Sequence, residues 1–250
     1  MKSVGIICEY NPFHNGHIHH IQKVREMFPE SIIVLVMSGN YTQRGDMSII
    51  DKWDKTDIAL NYVDLVVELP FMFSVASADI FAYGAINILK ELGVSDIVFG
   101  TENLNESDFE KIALAQKNEE FDVLVKNYLD SGINYPTSLA KATYDLTGIK
   151  AKYPNELLGI SYVKALIDTN INPVTIKRTN DFHSKSLDGS IVSASSIRDA
   201  LKNGIDVRKY VPSYTYDKLD NLHFNSDYFD LLKYKIISEI DSLDKYVNVD

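Results

Sequence analysis

"SVGIICEYNPFHNGHIHH", residues 3–20, joins an apolar β-branched run to a loop and then to a helical pattern. Four of the six histidines in the chain fall within its last seven positions. The run "SVGIIC" reads as a buried strand, and "HIHHIQKVREMF" reads as the helix that follows it. His14 and His17 form H-N-G-H where the strand turns into the helix, at positions expected to be exposed. In open α/β sheets ligands bind beyond the carboxyl ends of strands, and a helix N-terminus favours anions. Two imidazoles there suit a phosphate chain, because they donate hydrogen bonds to charge developing on phosphoryl oxygens. Gly16 lets a flat group approach the backbone, and Pro12 stiffens the way into the loop. The rival reading is a zinc site on His17 and His20, three apart on a helix. No Cys pair and no H-E-x-x-H accompany them, so no metal ligand is assigned. His19 and His20 read as surface or supporting residues.

Outward from this stretch, short apolar runs alternate with helical patterns, the mark of a parallel α/β sheet. Strands are expected at "SIIVLVM" (31–37), "LVVEL" (65–69), "DIVFG" (96–100) and "VTIKR" (174–178). "ADIFAYGAINILKELG" and "SASSIRDALKNG" read as helices that stop at glycines. Residues 105–148 break the rhythm with helical patterns alone and read as a helical insertion. In the tail, Tyr228, Leu232, Ile236, Ile240 and Leu243 share one helical stripe.

With 35 acidic against 25 basic residues the formal net charge is -10, which argues against a broad nucleic-acid-binding face but not against a local basic patch. The single cysteine, Cys8, lies in the first apolar run and excludes a disulfide framework. No signal peptide and no apolar stretch of membrane-spanning length is evident, so the expected location is cytoplasmic, with no membrane partner.

A second phosphate-directed element lies far downstream. "SASSIR", residues 193–198, opens a helix with three hydroxyls and an arginine. Ser193, Ser195 and the backbone N–H groups can cradle phosphates, and Arg198 can pair with them. Taken alone, a serine before a helix is usually an N-cap.

H-x-G-H near the start and S-x-[ST]-x-I-R near the end of the α/β region resemble the HIGH-motif nucleotidyltransferase superfamily. "VGIICEYNPFHNGH", "SGNYTQRGD", "FGTE", "PNELLGI" and "IKRT" together are similar to the bacterial tRNA(Met) cytidine acetate ligase family, in order over residues 1–210. The resemblance implies a doubly wound parallel sheet of the Rossmann type in residues 1–212. It also implies a helical extension, 213–250, that begins a further region of the longer family chains. It implies ATP with Mg²⁺, acetate and elongator tRNA(Met) as partners. The reaction it implies is activation of acetate to acetyl-adenylate, then transfer of acetyl to N4 of the wobble cytidine.

The family's ATP-binding positions map onto Ile7, Cys8, Glu9, Tyr10, Asn11, Pro12, Phe13, His14, Asn15, Gly16, His17, Ile18, His19 and His20. Further on they map onto Gly100, Asn155 and Arg178. Gly100 at a strand end brings bare backbone to a nucleotide, Asn155 offers a donor and an acceptor, and Arg178 offers a fork of donors. Relatives often carry a second Asn where this chain has Glu156. His14, His17 and Arg198 are the expected catalytic residues. In "SGNYTQRGDMSIIDKWDKTDIAL", Arg44 and Lys52 are both candidates to neutralise a small carboxylate, and the sequence does not choose between them. Two other readings stay open: a small-metabolite adenylyltransferase of the same superfamily, and a nucleotide-binding protein without turnover.

Overall fold

The structure, a computed structural model, describes residues 2–177 and 192–246. β1 (Ser3–Cys8) is the central strand. It pairs in parallel with β2 (Ile32–Ser38) along its whole length, and β3 (Leu65–Leu69) adds outside β2. On its other side stand β4 (Asp96–Thr101) and then β5 (Asn172–Lys177), again parallel. The order is therefore β3-β2-β1-β4-β5.

Because side chains alternate along a strand, a sheet covered on both faces needs apolar residues at nearly every position. β2 shows this directly. Ile33, Leu35 and Met37 join Val4, Ile6, Ile21, Val24 and Ile58 on one face. Val34 and Val36 join Phe81, Ala85, Leu89, Phe109 and Ile160 on the other. The first face is covered by α1 (Asn15–Met27) and α2 (Lys52–Ala59). After a short α3 (Phe71–Ser74), the second face receives α4 (Ala78–Glu91), α5 (Glu106–Gln116) and, following α6 (Glu119–Asp130) and α7 (Tyr135–Thr147), α8 (Pro154–Leu166). The sheet is parallel, as the sequence pattern implied, and doubly wound, as the resemblance implied.

Several boundaries differ from the sequence reading. The 105–148 segment is helical throughout its three helices, but α5 is part of the main core: Phe109, Ile112 and Ala113 are fully buried against the sheet. Only α6 and α7 stand apart, around Phe121, Val125 and Ala142. β5 starts at Asn172, earlier than "VTIKR", and Gly100 is the penultimate residue of β4 rather than its end. Arg178 lies outside the described residues. After α9 (Ala194–Lys202) and α10 (Ser213–Tyr216), the chain returns to the α/β body. Lys218 pairs with Asp54, the His223 N–H reaches the carbonyl of Ile49, and Leu219, Leu222 and Phe224 pack on the first core. The expected tail stripe is interrupted. α11 (Asn225–Ser238) ends at Glu239, and a 3-10 segment (Ile240–Lys245) follows with non-helical backbone at Ser242. Tyr228, Leu232 and Ile236 therefore share a helix that Ile240 and Leu243 do not continue. Among the described residues no helix is long and apolar enough to cross a membrane.

Gly159 of α8 shows how tightly the second face is filled. A Cβ there would stand 2.7 Å from the Phe109 ring and 2.8 Å from the Phe99 ring, both buried. Gly159→Ala is expected to cost about 1–3 kcal/mol through overpacking. An unchanged denaturant midpoint would show that the rings can give way.

Candidate active site

The hydrogen-bonded register between β1 and β4 covers only Val4–Asp96 and Gly5–Ile97. Past those pairs the ladder ends. Ile7 and Cys8 from β1, with Val98, Phe99 and Gly100 from β4, then wall a cleft of about 430 Å³. This is where strand order reverses around β1, the place where doubly wound sheets take their ligands. Phe81, Leu158 and Tyr162 extend the apolar wall, and Glu9, Arg44, Asp46, Lys177 and Arg198 supply charge.

The loop after β1 runs across this crevice without a strand partner, so its polar groups are met one at a time by distant residues. The Glu9 carbonyl accepts from Lys55 Nζ at 2.9 Å, and Glu9 Oε1 accepts the Gln43 N–H at 2.6 Å. Asn11 Oδ1 accepts the Ile49 N–H at 2.9 Å, and the Asn11 carbonyl accepts from Arg198 Nη1 at 2.7 Å. Between them Tyr10 adopts φ 48°, an uncommon conformation for a bulky residue. Its buried ring packs on Phe13 at 4.8 Å and on His17 at 4.5 Å.

His14 is the N-cap of α1 and is only 5% exposed, against the exposed position expected from the sequence. Its Nδ1 accepts the Gly16 N–H at 3.0 Å, while His17 Nδ1 accepts the His14 N–H at 3.2 Å. The two rings stack with centroids 3.8 Å apart. A neutral imidazole that accepts at Nδ1 carries its proton on Nε2. Both rings are therefore set as Nε2–H donors by the helix start itself. The same pair caps the helix and lines the cleft, so the histidines here do two jobs.

Arg198 reaches the cleft from α9. Burial pulls it down from its ordinary value, against the opposing pull of Asp46 and Glu9, yet a guanidinium stays charged. The cap of α9 is Ser193, whose Oγ accepts the Ser196 N–H at 3.1 Å and lies 2.8 Å from Ser195 Oγ. Neither serine lines the cleft, although Ala194 and Arg198 do. Asn155 lines it, with Nδ2 donating to Glu102 Oε1 at 2.5 Å, which leaves the amide oxygen as its acceptor. Glu156 is buried: Oε1 accepts the Asn103 N–H, and Oε2 accepts the Lys152 and Tyr153 N–H groups. Its carboxylate is thus met by backbone donors next to Asn155.

Of the expected positions, Ile7 to Asn11, His14, Gly16, His17, His19, His20, Gly100, Asn155 and Arg198 gather on one cleft. Phe13 and Ile18 face the core, with Phe13 stacked on Tyr62. Pro12 is buried, and the Asn15 amide donates to the carbonyl of Lys209. Sequence reasoning missed Lys55, which looked like one more charge on the solvated face of "DKWDKTD", and the aromatic wall of Phe99 and Tyr162. The structure also separates Arg44 from Lys52. Arg44 lines the cleft, whereas Lys52 pairs with Glu68 at 2.8 Å beside a smaller neighbouring pocket.

The profile of the HIGH Nucleotidyl Transferase family matches residues 1–250. The chain is 40% identical over 269 residues to the tRNA(Met) cytidine acetate ligase of Anoxybacillus flavithermus, covering 100% of this chain and 67% of that protein. With the ligase of Caldicellulosiruptor saccharolyticus it shares 43% identity over 227 residues, covering 88% of this chain and 57% of that one. Among solved structures, apo Thermotoga maritima TmcAL superposes with a TM-score of 0.81 at 31% identity, covering 92% of this chain and 57% of its own. The same protein bound with alpha-thio ATP gives a TM-score of 0.77 at 31% identity, covering 92% of this chain and 56% of that chain. The chain therefore spans about two thirds or less of the length of these relatives.

The double role of His14 can be separated by substitution. His14→Ala removes cap and donor together and is expected to cost about 1 kcal/mol of stability. Asn is among the best N-caps, so His14→Asn should stay within about 0.5 kcal/mol of the parent while still lacking the imidazole. Urea denaturation of both variants decides: equal losses would show that the Gly16 contact does not act as a cap.

Proposed function

The chain belongs to the tRNA(Met) cytidine acetate ligase family of HIGH nucleotidyl transferases, and from that premise we propose that its cleft joins ATP and acetate as acetyl-adenylate. The acetyl group then passes to N4 of the wobble cytidine of elongator tRNA(Met), in the cytoplasm. One observation carries the reading: two Nε2–H imidazoles and the Arg198 guanidinium meet at the switch point of the sheet, above an apolar wall.

In the first step a carboxylate oxygen of acetate forms a bond to the α-phosphorus of ATP. The bond from that phosphorus to the bridging oxygen breaks, and pyrophosphate leaves with the electron pair. No general base is required, because the nucleophile is already an anion. His14, His17 and Arg198 donate to the phosphoryl oxygens as charge builds, and positioning and electrostatics carry the rate. Asn155, through its oriented amide oxygen, accepts from the nucleoside. Mg²⁺ bound with ATP would supply neutralising charge. Among the described residues no group of three or more His, Cys, Asp or Glu gathers to hold a metal.

Arg44 is assigned to the acetate carboxylate. It lines the cleft and has no ion pair among the described residues, whereas Lys52 is committed to Glu68. In the second step the cytidine N4 amine attacks the acetyl carbonyl. The bond from that carbon to the phosphate oxygen breaks, AMP leaves with the electron pair, and the N4 proton passes to solvent. With a formal net charge of -10, RNA contact falls to local basic groups such as Lys177, Lys202 and Lys209 rather than to a broad field.

Incubation with ATP, Mg²⁺ and carbon-labelled acetate should yield a labelled adenylate. An adenylylated metabolite, or no product, would contradict the reading. Losing a charge-assisted contact to a carboxylate is expected to raise the acetate KM of Arg44→Ala by about tenfold, with ATP affinity little changed. Lys52→Ala should leave the acetate KM at its parent value. The reverse pattern would move the acetate site to the neighbouring pocket.

A further inference from the structure

Lys55 lies in the first turn of α2, 1% exposed and outside the lining of the cleft. Its ammonium donates to three backbone carbonyls: Glu9 at 2.9 Å, Ser38 at 2.8 Å and Gly39 at 2.8 Å. An ammonium has three N–H donors, so the set is complete. The acceptors sit just past β1 and at the end of β2.

Among the described residues no carboxylate forms an ion pair with the cation. The acids that face it are Glu9 from the loop, Glu68 from β3 and Asp51 at the start of α2. Each is engaged elsewhere: Glu9 Oε1 with the Gln43 N–H, Glu68 with Lys52, and Asp51 with the Trp53 and Asp54 N–H groups. A buried cation balanced by carbonyl dipoles alone is costly, and an apolar side chain of similar volume commonly serves stability as well. What an apolar side chain cannot do is hold the Glu9 carbonyl. That carbonyl immediately precedes Tyr10, where the backbone turns into the left-handed region and the ring reaches His17.

We propose that Lys55 is a positioning residue, whose ammonium clamps the Glu9 carbonyl to the end of β2, sets the path of the loop leading to His14 and His17, and makes nucleotide binding depend on its charge. The proposal rests on the reading of the cleft as an ATP site. Burial pulls the Lys55 amine down to about 8, with Glu9, Glu68 and Asp51 pulling the other way. A neutral amine has two donors and a lone pair, so deprotonation removes one of the three bonds and turns that lone pair toward a carbonyl.

Binding and stability should then move in opposite directions with pH. The folded value, about 8, lies below the ordinary 10.5. Between the two the unfolded chain holds more protons, so this group makes stability rise with pH across that window. ATP affinity falls across the same window, because the clamp is lost. Tyr10, pushed well above its ordinary value by burial, does not titrate there.

The test is calorimetric titration of the full chain with Mg²⁺ and ATP from about pH 7 to about pH 9.5, with a thermal melt at each pH. The parent should lose about tenfold in affinity across this range, the loss expected for one charge-assisted hydrogen bond, with no fall in melting temperature. Lys55→Arg keeps its charge and should bind ATP with a flat alkaline limb. Lys55→Met should bind ATP at least about tenfold more weakly at neutral pH. ATP affinity in the parent that is constant with pH, or Lys55→Met matching the parent, overturns the clamp. If neither variant folds, the parent's affinity and melting profiles decide alone. Absence of ATP binding at every pH would overturn the ATP reading and the clamp with it.

Discussion

A strand that stops pairing leaves its backbone to be satisfied by something else. β1 does this where it parts from β4, and the site depends on how the molecule answers. Beyond Gly5 and Ile97 the two central strands no longer share a ladder, which opens the cleft and strands the loop that follows β1. Buried backbone polar groups without partners are expensive. The loop is therefore held by Lys55 and Gln43 at Glu9, by Ile49 and Arg198 at Asn11, and by the His14–His17 cap at its end. These holders come from α2, from the segment before it and from α9. The loop takes its shape only once elements far apart in sequence have assembled.

That dependence explains which features could be read from the sequence. The β-branched runs of all five strands, the helices between them and the HNGH turn are local patterns, and local patterns survive without knowledge of the fold. So does the pairing of HNGH with SASSIR, since each sits at a helix start. The burial of His14 was not readable, because the packing around it is brought in by residues distant in sequence. Lys55 was hidden for the same reason: within "DKWDKTD" it has the look of a solvated charge, and only the convergence of three strand-end carbonyls gives it a place. Phe109 and Ile112 were readable as a helical stripe, but not as a stripe that faces the sheet. The serines of SASSIR are a different case. Their chemistry suits phosphate, yet Ser193 is occupied in capping its own helix.

On the proposed reading, the arrangement also lets an acidic protein work on polyanionic substrates. On that reading the groups that meet the substrate anions are local. The Nε2–H donors of His14 and His17 and the guanidinium groups of Arg44 and Arg198 surround one cleft, which Glu9 and Asp46 also line, in a chain of formal net charge -10. A site of this kind gains its rate from donors fixed before the substrate arrives, so that little reorganisation is needed as charge develops. The stacked imidazoles meet that requirement because the helix start that orients them would form whether or not ATP were present. On the same reading, specificity for a small acid falls to the segment between β2 and α2, which contributes Arg44 to the cleft.

The central claim is that an acetate oxygen attacks the α-phosphorus of ATP in this cleft. Acetate labelled with ¹⁸O in both carboxylate positions tests it most directly. Bond formation to the α-phosphorus, followed by loss of the acetyl group through cleavage at its carbonyl, must leave one labelled oxygen in AMP. Mass spectrometry of the nucleotide products should therefore find AMP carrying a single ¹⁸O, with pyrophosphate unlabelled. Label in phosphate or pyrophosphate, with AMP unlabelled, would place the attack at a different phosphorus and contradict the account.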